Sequence, residues 1–341
     1  MRIHRLLIAA ALSQFLALGA AGALAQESPT YGPRLEGYDY PHPVRVHAFE
    51  SQRRPLEMTY MDVAPTGPAN GRTAVLLHGK NFCAATWAPT IALLAEAGFR
   101  VVAVDQIGFC KASKPTGYQF SLPQLAVNTR GLLDALGIEK AVVIGHSMGG
   151  MLGARLAIQH PEAVERLVLV NPIGLEDWQA EGVPYATLDA AFAGERRTTF
   201  DSIKTYQQRV YYDGDWRAEY DAPVEMLAGM YAGPGGEIVA WNQAQTSDMI
   251  FTQPVVHEFD RIAAPTTLII GGTDRTAPGA NRAPEAVQAR LGLYPELGRR
   301  TAEAIPNAEL VLFDDLGHAP QTEDPDRFHR ALLDALAAPE G

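Results

Sequence analysis

The chain has 341 residues, 47% of them hydrophobic and 20% charged, with a formal net charge of −11. That balance excludes collagen-like, coiled-coil, disordered and multi-span membrane proteins. The acidic charge argues against a nucleic-acid partner, which needs clustered Lys and Arg, and two cysteines are too few for a disulfide scaffold or a Cys-rich metal site.

Residues 1–25 read as an address. Arg2, His4 and Arg5 make a basic start, residues 6–24 are almost wholly apolar, and Ala23-Leu24-Ala25 fits a small-x-small cleavage site. The expectation is a signal peptide, a mature chain beginning at Gln26, and export to the periplasm or medium without a stable membrane anchor. Arg2 and Arg5 are the only formally charged residues of 1–25, so the mature charge would be −13. Export would place Cys83 and Cys110 where thiols can pair.

A Pro- and Tyr-rich extension (26–43) leads into two runs with period-two alternation, Val44–Phe49 and Leu56–Val63, which read as strands. Thr73–Leu77, Arg100–Asp105, Ala141–Gly145, Arg166–Asn171, Thr266–Ile270 and Glu309–Phe313 are continuous β-rich runs of the kind a buried parallel sheet uses. Helical patterns lie between them. Ser121 with Gln124 three residues on predicts a capping box for a helix through Leu132 and Leu133 that stops at Gly137. Met148 to His160 reads as a helix ended by Pro161, and Asp326 to Leu336 as a last amphipathic one. Two strands followed by strand–helix units predict an α/β domain with helices on both faces. The core is expected in two parts, 44–175 and 261–341. The rhythm breaks over 176–260, a stretch too long for a loop. It holds 13 of the chain's 28 aromatics and is read as an inserted helical cap, most of whose aromatics form its own core.

Gly145-His146-Ser147-Met148-Gly149 is G-x-S-x-G. The pentapeptide is weak alone, but here a strand precedes it and a helix follows it, which is the nucleophile elbow. Ser147 is then the candidate nucleophile, and it needs a base. His318, in Leu316-Gly317-His318-Ala319-Pro320 after the final strand, lies where open α/β sheets place ligands. The base needs an acid to fix its tautomer. Asp274, in Gly271-Gly272-Thr273-Asp274 after the penultimate strand, lies on the same edge; Asp314 and Asp315 compete for that role. The loop His78-Gly79-Lys80-Asn81-Phe82 after Thr73–Leu77 is expected to hold an oxyanion with the backbone N–H of Lys80, or second Asn81, beside that of Met148.

With these residues in view the sequence resembles the α/β-hydrolase superfamily. The resemblance rests on His78-Gly79, Asp105-Gln106-Ile107-Gly108-Phe109, the Gly145–Gly150 turn, Asp274 and Gly317-His318, and it covers nearly all of the mature chain. It implies the α/β-hydrolase fold: a mostly parallel eight-stranded sheet, helices on both faces and an inserted cap. Within the superfamily the chain looks like the capped serine-hydrolase, carboxylesterase-like branch. Epoxide hydrolases and dehalogenases attack with a carboxylate where Ser147 stands, and C–C hydrolases usually carry Asn where His146 stands. Proline iminopeptidases usually follow the serine with Trp, where Met148 stands. The implied reaction is hydrolysis of a carboxylic ester of a small, largely apolar molecule through an acyl-enzyme. Trp178 and Tyr185 are expected at the substrate, and no metal or organic cofactor is implied. Amidase, lactonase or perhydrolase chemistry on the same triad, and a non-catalytic binding protein, remain open. In this fold the strands ending at Leu77 and Asp105 are neighbours, so Cys83 and Cys110, just beyond those ends, are expected to pair.

Overall fold

The computed structural model describes residues 29–337; the signal peptide expected over 1–25 lies outside the described residues. Eight strands form one sheet: β1 (Val44–Ser51), β2 (Arg54–Val63), β3 (Thr73–Leu77), β4 (Arg100–Asp105), β5 (Ala141–His146), β6 (Val164–Val170), β7 (Thr266–Gly271) and β8 (Ala308–Phe313). Their order is β1-β2-β4-β3-β5-β6-β7-β8. The first two pairings, β1 with β2 and β2 with β4, are antiparallel; the rest are parallel. β6 begins two residues before its predicted start because Val164 pairs with Ala141 across a register shift.

Helices alternate with the parallel strands: α1 (Ala88–Glu96), α2 (Leu122–Ala135), α3 (Met148–Gln159), then α4 (Leu188–Glu195), α5 (Phe200–Val210), α6 (Asp221–Ala232) and α7 (Gly236–Thr252) between β6 and β7. Beyond β7 come α8 (Glu285–Gln288), α9 (Tyr294–Ala304), α10 (Pro320–Glu323) and α11 (Pro325–Ala337). The pleat sorts the core onto two faces. In β3, Ala74 and Leu76 join Ile91 and Leu94 of α1 and Phe328 and Leu332 of α11 on one side. Val75 and Leu77 join residues of α2, α3 and α9 on the other. Ser121 caps α2 by accepting from the Gln124 N–H at 3.1 Å. The return half of the predicted box is not made, because the Gln124 amide is used on Asn128 Oδ1 at 2.9 Å.

The carboxyl ends of β3, β5, β7 and β8 feed the loops that hold His78, Ser147, Asp274 and His318. One of those edges is stitched by a buried carboxylate. Asp105, at the end of β4, accepts from the Ala84 N–H (2.8 Å), the Tyr40 hydroxyl (2.7 Å) and the Thr59 hydroxyl (3.1 Å). It thereby ties the loop after β3 to β2 and to the segment preceding β1. Beside it Cys83 and Cys110 form a disulfide with Cα atoms 5.8 Å apart. The pairing follows from β3 and β4 being hydrogen-bonded neighbours.

The bridge spans a sequence separation of 27, for which loop-closure entropy gives about 3.5 kcal/mol. Replacing both cysteines by Ala is expected to lower the urea midpoint by an amount equivalent to about 3 kcal/mol. An unchanged midpoint would show that the bridge adds nothing to stability.

Candidate active site

β5 runs directly into α3 with a single residue, Ser147, between them. Its φ of 55° and ψ of −119° lie where non-glycine residues rarely go, a strain of order 1–3 kcal/mol that the surroundings must sustain. They do so by close packing. A Cβ on Gly145 would overlap the backbone of Gly149, and one on Gly149 would overlap the carbonyl of Leu77, so both flanking positions need glycine. The turn leaves Ser147 at the head of α3, where the first N–H groups, starting with Met148, have no intrahelical acceptor and the helix dipole favours negative charge.

His318 and Asp274 are both fully buried and lie together: His318 Nδ1 is 2.6 Å from Asp274 Oδ2. Asp274 also accepts from the Asn171 amide (2.9 Å), the Thr276 N–H (2.8 Å) and the Thr276 hydroxyl (2.6 Å). A carboxylate facing Nδ1 requires the proton there, which leaves Nε2 as the basic nitrogen. Nε2 is buried and has no hydrogen-bond partner. The Ser147 hydroxyl does not bond to it in this structure; such bonds commonly close only with substrate bound. Asp314 and Asp315 are both exposed, and Asp315 is held by Arg327 at 2.8 and 2.9 Å. The sequence alternative for the acid thus faces solvent.

The backbone of His318 is held as firmly as its ring. Its N–H donates to the Tyr211 carbonyl at 2.8 Å. Its carbonyl accepts from His146 Nε2 at 2.8 Å, which fixes the tautomer of His146. Burial, and next the neighbouring His318, hold the pKa of His146 well below the usual imidazole range, so this ring serves as a neutral donor. The Tyr211 ring lies 4.2 Å from the His318 ring, centroid to centroid.

The loop after β3 folds as a tight turn with the Phe82 N–H bonded to the Gly79 carbonyl at 3.0 Å. A Cβ on Gly79 would stand 2.9 Å from Ser147 Cβ, so this backbone lies directly against the serine. The side chains of the two expected oxyanion residues reach toward the helices between β6 and β7. Lys80 Nζ is 3.0 Å from Glu195 Oε1, and the Asn81 amide donates to the Tyr211 hydroxyl at 2.9 Å. Both side chains are thus committed to partners other than Ser147. His78 is saturated: Nδ1 donates to the Gly79 carbonyl at 2.8 Å and Nε2 accepts from the Gln106 N–H at 3.2 Å. Although His78, Asp105 and Cys110 cluster, the histidine's two nitrogens and the bridged sulfur are already committed, so the trio does not fit a metal.

A cavity of about 340 Å³ opens beside Ser147, walled by Ile203, Leu227, Ile250 and Phe251 and reached by Lys80 and Arg282. Trp178 and Tyr185, expected at the substrate, do not line it. Trp178 is buried behind Phe251, its indole N–H donating to Glu176 at 3.2 Å. Tyr185 is 53% exposed and donates its hydroxyl to Asp248 at 2.9 Å. Each ring backs Phe251 while its polar atom seeks a carboxylate away from the cavity. Most other aromatics of 176–260 pack on one another, as Tyr212 does on Tyr220 at 4.0 Å.

A family profile described as the alpha/beta hydrolase fold matches residues 74–325. The crystal structure of a probable hydrolytic enzyme from Pseudomonas aeruginosa superposes with a TM-score of 0.90 at 57% identity, over 92% of this chain and 100% of that one. A 2-hydroxy-6-oxononadienedioate/2-hydroxy-6-oxononatrienedioate hydrolase of Paraburkholderia xenovorans is 31% identical over 78% of this chain and 86% of its own length. A 2-hydroxymuconate semialdehyde hydrolase of Pseudomonas putida is 31% identical over 70% and 77%. The chain belongs to the alpha/beta hydrolase fold family.

Sequence reasoning missed one residue beside His318. Glu323, on α10, accepts from the Gly317 N–H at 2.9 Å and the Ala319 N–H at 3.1 Å, the residues on either side of His318. The signal was present as a Glu five residues on, with Pro320 opening a helix between them. Burial pushes the Glu323 carboxyl up to about 7, against the lowering effect of those two N–H groups; Asp274 raises it further and Arg217 lowers it. Because the folded value is raised, the stability that Glu323 contributes is present below its unfolded pKa and is lost as the pH rises through about 7. Its acceptor role runs the opposite way, since protonation below about 7 removes acceptor capacity from the His318 loop. The expected outcome concerns the rate at which a fluorophosphonate labels Ser147. In the parent its pH profile should show an inflection at about 7 from Glu323; in Glu323→Gln that inflection should be absent and the plateau about tenfold lower. Identical profiles would remove Glu323 from the site.

Proposed function

We propose that this family member is a serine hydrolase that cleaves a carboxylic ester of a small, largely apolar molecule through an acyl-enzyme. The observation that supports the reading is the unpaired, buried Nε2 of His318, its ring oriented by Asp274, on the same sheet edge as a serine on a strained turn. Ser147 Oγ attacks the ester carbonyl while His318 Nε2 takes its proton. Asp274 orients the ring and balances the imidazolium. The oxyanion is received by the Met148 N–H and the Lys80 N–H, with Asn81 next to it; one such donor lowers the barrier by about 3 kcal/mol. His318 returns the proton to the leaving alcohol. Water, activated by the same nitrogen, then releases the acid. Every proton step runs through one imidazole, so this route asks nothing of a metal or organic cofactor.

The relatives' names favour a second substrate class, 2-hydroxy-6-oxo dienoates, on the same residues. His146, where C–C hydrolases usually carry Asn, keeps esters first. Amides, lactones and peracid formation would use the same serine. The first residues of the chain support export with cleavage after Ala25, for which the native protein's N-terminus should read Gln26-Glu27-Ser28.

Ser147→Ala is expected to slow hydrolysis of short p-nitrophenyl esters by at least about a thousandfold and to abolish labelling by a fluorophosphonate. Parental turnover in that variant would exclude the mechanism. A wild-type protein that is never labelled would point to ligand binding without catalysis. Faster turnover of 2-hydroxymuconate semialdehyde than of any ester in a panel would move the assignment to the second class.

A further inference from the structure

The cavity beside Ser147 is reached by two cations and one anion, Lys80, Arg282 and Glu195, in a chain whose net charge is −11. Lys80 and Glu195 neutralise each other at 3.0 Å, and the other Glu195 oxygen accepts from the Tyr231 hydroxyl at 2.5 Å. Arg282 is left over. Among the described residues no carboxylate pairs with it, and burial alone perturbs it, lowering its pKa. It stays charged nonetheless, as guanidinium does in proteins.

An arginine without an acid is ordinary on an open surface, but this one is held in place. Its Nε donates to the Pro184 carbonyl at 3.0 Å. Its guanidinium lies over the Phe251 ring, 5.2 Å from the centroid, a favourable cation–π placement. It also packs against the α-carbon of Gly279, where an added Cβ would collide with it. Of the guanidinium nitrogens only Nε has a protein acceptor among the described residues, and both Nη atoms are left without one. Two Nη groups in a fixed plane are the fork that grips a carboxylate through paired hydrogen bonds. Ser147 is 4% exposed while Arg282 is open to solvent, and both line one cavity, whose apolar wall is Ile203, Leu227, Ile250 and Phe251.

We propose that Arg282 is the anion-binding residue of this cavity, and that the substrate is an ester whose apolar chain carries a carboxylate at the end remote from the scissile bond. The word ester rests on the function proposed above; the anion site does not. A neutral ester would leave a fixed cation facing its apolar chain. A substrate with an ammonium group would meet repulsion.

Binding separates the two ideas when it is measured without turnover. By titration calorimetry on Ser147→Ala, monomethyl suberate should bind about tenfold tighter than methyl octanoate, the uncharged ester of the same chain length; that ratio corresponds to about 1.4 kcal/mol. Adding Arg282→Gln should erase the preference, and Arg282→Lys, which keeps the charge and loses the fork, should restore part of it. In the enzyme with Ser147 intact, Arg282→Gln should raise KM for monomethyl suberate about tenfold with kcat unchanged and leave methyl octanoate unaffected. Equal binding of the two esters to Ser147→Ala, or a preference that survives Arg282→Gln, overturns the anion site. Binding through Arg282 with no cleavage in the intact enzyme keeps the anion site and refutes ester hydrolysis. Cleavage of both esters at equal efficiency does the reverse.

Discussion

Burying His318 completely strips an imidazole and its peptide groups of water, and the surrounding chain replaces that water atom by atom, with one exception. Nδ1 has Asp274, the backbone N–H has the Tyr211 carbonyl, and the backbone carbonyl has His146. The N–H groups on either side have Glu323. Only Nε2 is unpaired. An unsatisfied buried nitrogen is destabilising, and it persists because everything around it is over-determined. Four segments therefore converge on the loop after β8 that carries this residue: the end of β5, the turn after β7, α10 and the end of α5. The architecture of the site is the set of backbone positions that makes this convergence possible.

The strain at Ser147 belongs to the same constraint. A serine with φ near 55° can stand only where β5 meets α3 without a linker, and that junction fits only because Gly145 and Gly149 let three backbones approach. The sheet then fixes how far Ser147 lies from the turns of β7 and β8. Because β5, β6, β7 and β8 are consecutive parallel neighbours, the separation of Ser147, Asp274 and His318 is set by strand spacing together with the turns that follow β7 and β8.

How much of this the sequence discloses depends on the range of the interaction. Strands, the elbow and the two loop ends are legible because they are local: continuous β-rich runs, G-x-S-x-G between a strand and a helix, a histidine just past the last strand. The disulfide followed from the neighbouring strands of the resembled fold. The choice of Asp274 over Asp314 and Asp315 followed from edge placement and could be checked only once the latter pair was seen in solvent. Nothing local distinguishes an aromatic that lines a cavity from one that stands behind it. Trp178 and Tyr185 are expected at the substrate as the aromatics of this stretch nearest the sheet, yet each bonds through its polar atom to a carboxylate, Glu176 or Asp248, that does not line the cavity. Phe251 lines the cavity together with Tyr206, Tyr211 and Tyr231, so a polar tip does not by itself decide which aromatics face it. Tyr211 acts through its main-chain carbonyl, a role that any residue type could fill and that no motif can therefore encode.

That main-chain bond bears on how such proteins can change. In sequence, 176–260 looks like an insertion that could be exchanged for another while the core kept its chemistry. The carbonyl that secures the His318 N–H and the hydroxyl that meets Asn81 both belong to Tyr211, inside that stretch. Lys80 is likewise anchored on Glu195. A chimaera that replaces 176–260 would inherit Ser147, Asp274 and His318 but lose the scaffolding of two of their loops. A lineage that remodels this stretch must therefore rebuild the support of the His318 loop in the same step.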